Sequence, residues 1–314
     1  MPGDRPKIAH IFGPVPSRRL GRSLGVDVVP RKTCTLDCIY CQVGRTTDRT
    51  TERRSFVPVE TVLEEIGAKL ADSPRPDYIT LSGSGEPTLY ADLGELIRGI
   101  RKIADVPVAI LTNGTLLTEP DVRAACALAD VVLPSLDAGD EAMFQRINRP
   151  APGLTLEGIV AGMAAFREEY QGRIWLEVFL VEGLNDSEEH VRSIARLAAR
   201  IRPDKVQLNT AVRPTAEPGV MPVPEERLRL LARLFTPPAE VIADFPGAEG
   251  APSFRARAED VLEMVRRRPV TLDDIAAGLG IHPNEAAKYV ADLLRRGSLR
   301  KERRGGRDFF RAAP

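Results

Sequence analysis

Apolar and polar positions fall into alternating blocks along the first two thirds of the chain. Short apolar runs begin near Leu24, Asp77, Val106, Asp130, Ile174 and Lys205, each of strand length. Between them apolar residues recur at the helical period. Val59, Val62, Leu63, Ile66 and Leu70 form one stripe; Leu93, Leu96, Ile97, Ile100 and Ile103 a second. Leu156, Ile159, Val160, Met163 and Phe166 form a third, and Val191, Ile194, Leu197 and Ile201 a fourth. Helix starts are marked by Asp121 after Pro120 and by Asn185-Asp186-Ser187. Six strands alternating with helices predict an α/β fold with a parallel sheet, open or closed.

The pattern changes after residue 212. Eight prolines fall between Pro214 and Pro252, around one amphipathic helix (Leu228, Leu231, Leu234, Phe235) and a strand candidate from Val241 to Phe245. Residues 246–252 read as a linker. Residues 259–268 and 271–278 then read as helices, the second capped by Thr271 with Asp274 three positions on. Gly280 breaks the chain, a third helix covers 284–296, and Ser298 to Arg311 forms two strands turning at Gly305-Gly306. This order resembles a winged helix-turn-helix domain. The predicted organisation is 1–212, a Pro-rich extension and linker over 213–256, and a small unit over 257–314.

Of the 314 residues 43% are hydrophobic, enough for a real core, and 44 basic residues balance 44 acidic ones. Whole-chain charge therefore points to no partner. The charge is local: residues 295–311 hold eight basic and two acidic side chains. Arg300, Lys301, Arg303, Arg304 and Arg307 are candidate phosphate contacts, with peptide binding or self-docking the alternative. Glu285, Lys288 and Asp292 give the third helix a mixed face, which favours the hairpin over the helix as the nucleic-acid contact. No apolar run reaches the ~18 residues of a membrane span, and the first ten residues lack a signal region, so a cytoplasmic protein is expected.

Three of the four cysteines lie in CTLDCIYC, residues 34–41, just after the first strand. Three close thiolates at Cys34, Cys38 and Cys41 can each bind one iron of a cubane cluster. Cys126 sits on an apolar helix stripe and reads as core, so one iron keeps an open position. On spacing alone a zinc site is the alternative; it lacks a fourth ligand, since His10 lies well upstream. Cys-x3-Cys-x2-Cys with Tyr40 before the last cysteine resembles the signature of the radical S-adenosylmethionine (SAM) superfamily, over about residues 10–215. The resemblance implies a partial (β/α)6 barrel, a [4Fe–4S] cluster and SAM. SAM would chelate the open iron, and its reductive cleavage would give methionine and a 5′-deoxyadenosyl radical. It also implies an electron donor such as flavodoxin or ferredoxin.

The same resemblance nominates SAM contacts. Ser84, Gly85 and Glu86 follow the second strand where the superfamily carries Gly-Gly-Glu, with Ser84 a departure. Thr112 and Asn113 end the third strand, Ser135 and Asp137 the fourth. The segment from Phe144 to Pro150 is similar to the branch containing molybdopterin and nitrogenase-cofactor biosynthesis enzymes. The N-terminal words up to the cysteines resemble stand-alone Fe–S oxidoreductases related to wyosine-tRNA synthases. The absence of a second cysteine cluster departs from those synthases and argues against auxiliary clusters.

Strand parity places Glu177 and, one strand on, Lys205, Gln207 and Asn209 on inward faces, as substrate-cavity candidates. The alternative is an internal Glu177–Lys205 pair. Arg18, Arg19 and Arg22 read as a solvated turn or as cover for the barrel mouth, holding an anion. His190 and His282 read as surface residues. Three functions follow: a radical SAM enzyme on a macromolecule such as RNA, one on a small molecule or peptide, or a non-catalytic Fe–S sensor. The polar segments after the second, third and fourth strands disfavour the sensor.

Overall fold

The computed structural model describes residues 10–17, 19–212, 215–243, 258–279 and 283–313. Arg18, Gly280, His282 and the expected linker 246–252 lie outside the described residues, as do the side chains of Glu285 and Lys288. The chain begins with β1 (Ile11–Ser17), which returns through a tight turn into β2 (Gly21–Val26) as an antiparallel pair. The cysteine loop follows, closed by two short strands, β3 (Thr33–Cys34) and β4 (Asp48–Arg49).

Helices and parallel strands then alternate. They are α1 (Val59–Asp72), β5 (Tyr78–Leu81), α2 (Leu93–Ile103), β6 (Val108–Thr112), α3 (Pro120–Cys126) and β7 (Val131–Pro134). Next come α4 (Glu141–Ile147), α5 (Leu156–Glu169), β8 (Arg173–Leu180), α6 (Glu188–Ile201) and β9 (Lys205–Thr210). After α7 (Glu225–Ala232) a short β10 (Glu240–Val241) pairs parallel to β9. The sheet order is β1-β2-β5-β6-β7-β8-β9-β10, parallel except for β1. Glu119, not Asp121, stands before α3; Pro120 occupies its first turn, where its missing N–H costs nothing. Ser187 caps α6 as expected, accepting from His190 N at 3.2 Å.

Parity divides the strands as the sequence predicts. Leu24, Ile79, Ile110, Val132, Leu176 and Leu208 face the helices and are fully buried in one core. Ala109, Leu133 and Trp175 face inward. The sheet curls: one cavity of about 240 Å³ is lined by Phe12, Val15 and Ser17 of β1 and by Asn209 and Ile242 from the opposite edge. The barrel is thus open, with a seam between β1 and β10.

The turn from β1 to β2 sits at the N-terminal end of the parallel strands, not over their mouth. Leu20 packs there against Ala109, Val131, Leu133 and Trp175 and closes the floor. This corrects the reading of that arginine-rich turn as cover for the mouth.

The C-terminal segment is α8 (Ala258–Arg267), α9 (Leu272–Leu279), α10 (Pro283–Arg295) and an antiparallel hairpin of β11 (Leu299–Arg304) and β12 (Arg307–Ala312). Gly305 and Gly306 turn it at φ +56° and +75°, where side chains are strained. Thr271 and Asp274 form a reciprocal cap at 2.9 and 3.1 Å. Val261, Ile275, Val290 and Phe310 make a separate core, and Val15 of β1 packs against it. Lys69 of α1 faces Asp260 and Glu263 at 3.7 and 3.9 Å. Arg267 crosses to Asp27 at 2.7 Å and stacks over the Phe12 ring. The segment therefore lies across the seam. No helix of the described residues is long and apolar enough to cross a membrane.

Candidate active site at the cysteine loop

The loop from Thr33 to Arg49 lies at the C-terminal ends of the parallel strands. It is held on one side by Ile39 N donating to Ile147 O at 2.9 Å, and on the other by Glu217 N donating to Ile39 O at 3.0 Å. Cys34, Cys38 and Cys41 are half-buried in it. Each sulfur receives a nitrogen donor from a different segment. Asn113 Nδ2 lies 3.5 Å from Cys34 Sγ, Asn148 Nδ2 3.5 Å from Cys38 Sγ, and Lys32 Nζ 3.2 Å from Cys41 Sγ.

Burial pushes the Cys34 thiol up to about 12, with Glu86 adding repulsion. Burial also raises Cys38 well above its ordinary value, and the other two cysteines add to it. Alone, both would stay neutral thiols; a metal's charge makes them thiolates. Among the described residues no three His, Cys, Asp or Glu side chains converge on one point. A cubane takes one thiolate per iron and spreads them, and three sulfurs each with its own N–H suit it. Cys126 is fully buried in the main core, away from this arrangement.

Glu86 knits the strand ends together. Its carboxylate accepts from Thr88 N at 3.0 Å, Thr88 Oγ1 and Thr112 Oγ1 at 2.6 Å, and Asn113 N at 2.7 Å. Burial raises its pKa, and these donors oppose the rise. Asn113 thus stands between Glu86 and Cys34, with its amide oxygen fixed by Thr115. Gly85 is required on contact grounds: a Cβ there would lie 2.3 Å from Thr33 O. Ser84 gives its N–H and hydroxyl to Asp27, at 3.1 and 2.7 Å.

Asp137 is buried beneath Tyr40. Its carboxylate accepts from the Tyr40 hydroxyl, from Asn148 Nδ2 at 3.1 Å and from Phe179 N at 2.8 Å. Burial pushes it up to about 6 against those bonds. Tyr40 stacks on Phe179 with centroids 4.2 Å apart. Ser135 is half-buried and pairs with Glu177 through a backbone bridge, while its hydroxyl bonds to no described residue. Glu86, Thr112 and Asp137 thus have a scaffolding geometry, while Ser135 keeps an unengaged hydroxyl. Asn148 Oδ1, Trp175 Nε1 and Gln207 Oε1 are buried polar atoms without partners among the described residues.

Below the loop, Glu177 pairs with Arg19 from the floor turn and accepts from Asn209 Nδ2 at 2.8 Å. The alternative Glu177–Lys205 pair is not formed. Lys205 is exposed, reaches Glu240 at 2.8 Å and lies over Trp175, and Gln207 also bonds Glu240. Arg19, Ser23, Thr80 and Asn209 line the cavity. His190 is buried, not exposed: Gly139 N donates to its Nε2 at 3.0 Å.

Arg304 leaves the hairpin face to bond Thr215 and Val220 O. Lys301 pairs with Asp308 at 2.7 Å, and Arg303 reaches the same acid at 4.0 Å. Asp292 of α10 is taken up by Arg295 and Arg296, at 3.0 and 2.8 Å. Sequence reasoning missed Lys32, Asn148 and the Asp27–Arg267 pair. Asn148 lay inside a segment already singled out; Lys32 had only its nearness to Cys34 as a signal.

A mostly parallel, curled α/β sheet with three cysteines over its strand ends defines the class. The model for the Radical SAM superfamily matches residues 28–197, and the chain belongs to that superfamily. Its cofactors are a [4Fe–4S] cluster and SAM. A UPF0026 protein of Methanocaldococcus jannaschii is 33% identical over 306 residues, covering 95% of this chain and 94% of that one. The chain therefore belongs with the UPF0026 proteins. A Brachyspira hyodysenteriae protein named GTPase Obg is 36% identical over 299 residues, but this chain spans only 44% of it. A dual-specificity RNA methyltransferase RlmN of Nitratidesulfovibrio vulgaris is 28% identical over 193 residues, 59% of this chain and 51% of that one. Among solved structures, a radical SAM methyltransferase from Sphaerobacter thermophilus gives a TM-score of 0.52 at 17% identity, covering 71% of this chain and 66% of that one. That likeness is one of fold.

Proposed function

We propose that the chain is a radical SAM enzyme that abstracts hydrogen from a macromolecular substrate, RNA being the favoured class. The observation that carries the chemistry is the set of three loop sulfurs, each met by a nitrogen donor from a different segment. When bound, the cluster and SAM supply reductive sulfonium cleavage to methionine and a 5′-deoxyadenosyl radical. Cys34, Cys38 and Cys41 would hold the cluster. Gly85 brings the β5 end against the cysteine loop, and Glu86 orients Asn113. Ser135 offers a hydroxyl on the inward face for the SAM ribose. Leu20 and the packed floor exclude water from below. The C-terminal helices and hairpin, in winged-helix order, would act as the substrate-docking module, and a small flavodoxin- or ferredoxin-type protein would deliver the electron. The RNA reading draws support from the RNA methyltransferase relative and from the basic hairpin.

Anaerobically reconstituted protein should hold about four irons, change its electron paramagnetic resonance signal when SAM is added, and release 5′-deoxyadenosine with a strong reductant. Cys34→Ala, Cys38→Ala and Cys41→Ala should abolish all three signals; Cys126→Ala should not. Stoichiometric zinc with no uptake of iron would sink the reading.

A further inference from the structure

The end of α8 joins two spaces that look separate along the chain. Gln42 and Val43, which directly follow Cys41, line the barrel cavity together with Arg267 and Arg268. The same four residues also line a groove of about 620 Å³ that runs outward between the cysteine loop and the β11–β12 hairpin. The walls of that groove are basic. Arg31 comes from the loop before the cysteines, Arg266 and Arg268 from the end of α8, and Arg300, Lys301 and Arg311 from the hairpin. One acid, Glu302, stands among them.

Part of this charge is answered inside the chain. Lys301 pairs with Asp308 at 2.7 Å, Arg311 with Glu302 at 3.6 Å, and Arg267 with Asp27 at 2.7 Å. Arg31 and Arg300 have no carboxylate within ion-pair distance among the described residues. Arg31 is held in place by donating to Arg266 O at 2.9 Å. Cations drawn from three segments onto one concave wall repel each other, and an anion with repeated charges relieves that repulsion. Guanidinium forks match phosphate oxygens in pairs. The inner end meets the barrel cavity of about 240 Å³, too small for a duplex.

We infer that this groove binds the phosphodiester backbone of a single-stranded nucleic acid and directs one nucleotide past Arg267 and Arg268, through the seam, toward the cysteine loop. The last step rests on the SAM-cleavage reading; the binding does not. The inference also moves the contact surface from the hairpin tip, where Arg303 and Arg307 lie, to its inner face.

The test uses reconstituted full-length protein and a labelled mixed-sequence dodecamer, as RNA and as DNA, with anisotropy read across a salt series. Arg31→Glu combined with Arg300→Glu should weaken binding by about ten-fold or more and lower the salt slope by about one to two. Arg303→Glu combined with Arg307→Glu should stay within about two-fold of the parent, and both variants should melt with it. Equal loss in the two pairs, or preferential binding of a poly-glutamate peptide, would overturn the groove. Release of 5′-deoxyadenosine by the parent is measured alongside. Cleavage without nucleic-acid binding rejects the groove alone, and binding without cleavage rejects the enzyme reading alone.

Discussion

Lys32 carries a chemical role out of proportion to its setting. It sits at φ 62°, unusual for a residue with a side chain, and its backbone N–H is tied to Ser84 O at 2.8 Å. That conformation sends its ammonium to Cys41 Sγ at 3.2 Å. A positive donor on a cluster thiolate stabilises the reduced, more negative form. Lys32→Met should still assemble a cluster, with a more negative midpoint potential and roughly 10-fold weaker retention of iron. Potentiometric titration monitored by electron paramagnetic resonance checks it, and an unchanged potential would mean the contact does not act on the cluster. Asn113, just after β6, and Asn148, at the C-terminal end of α4, act on Cys34 and Cys38. None of the three donors was legible as such, because a contact to sulfur is made by tertiary packing and leaves no periodic mark in the sequence. The cysteines were legible because their ligand spacing is local.

At the scale of elements, α6 is locked to the loop after β7 by one imidazole. His190 Nε2 accepts from Gly139 N, and Nδ1 faces Asp140 at 3.5 Å. Burial holds His190 below its ordinary 6.5, while Asp140 and Glu189 oppose the shift. The unfolded chain takes up a proton near 6.5 and the folded chain only at lower pH. The associated stability is therefore complete above about 6.5 and lost as pH falls below it, by at most about 1.4 kcal/mol per pH unit. Thermal melts from pH 8 to 5 should show this decline in the parent and a flatter profile in His190→Gln. The six parallel strands and their helices were legible from periodicity, since each buries one clean stripe. β1 was not: Pro14 and Pro16 in IFGPVPS break the strand pattern, and only an edge position tolerates them. Missing β1 also hid the partner of Glu177. Parity placed that carboxylate on the correct face, but Arg19 reaches it from a turn whose position depends on the hairpin.

Over the whole molecule, the Asp27–Arg267 pair is the latch between the first and last parts of the chain. Asp27 also binds Ser84, so the latch lies one residue from Gly85. Burial lowers the pKa of Arg267, a sign of the desolvation it bears. Asp27→Asn and Arg267→Met should each destabilise by about 2–4 kcal/mol, and the double variant by less than their sum. Chemical denaturation of the four proteins gives the coupling; strict additivity would show the pair to be idle.

Leu20 closes the bottom of the barrel against Trp175 and Leu133. The barrel therefore has no exit through its floor, and everything that enters or leaves passes by the mouth or the seam. Under the proposed function a macromolecule seated across both holds the spent nucleoside behind it. Turnover then has a fixed order of departure: the macromolecule first, the nucleoside after it.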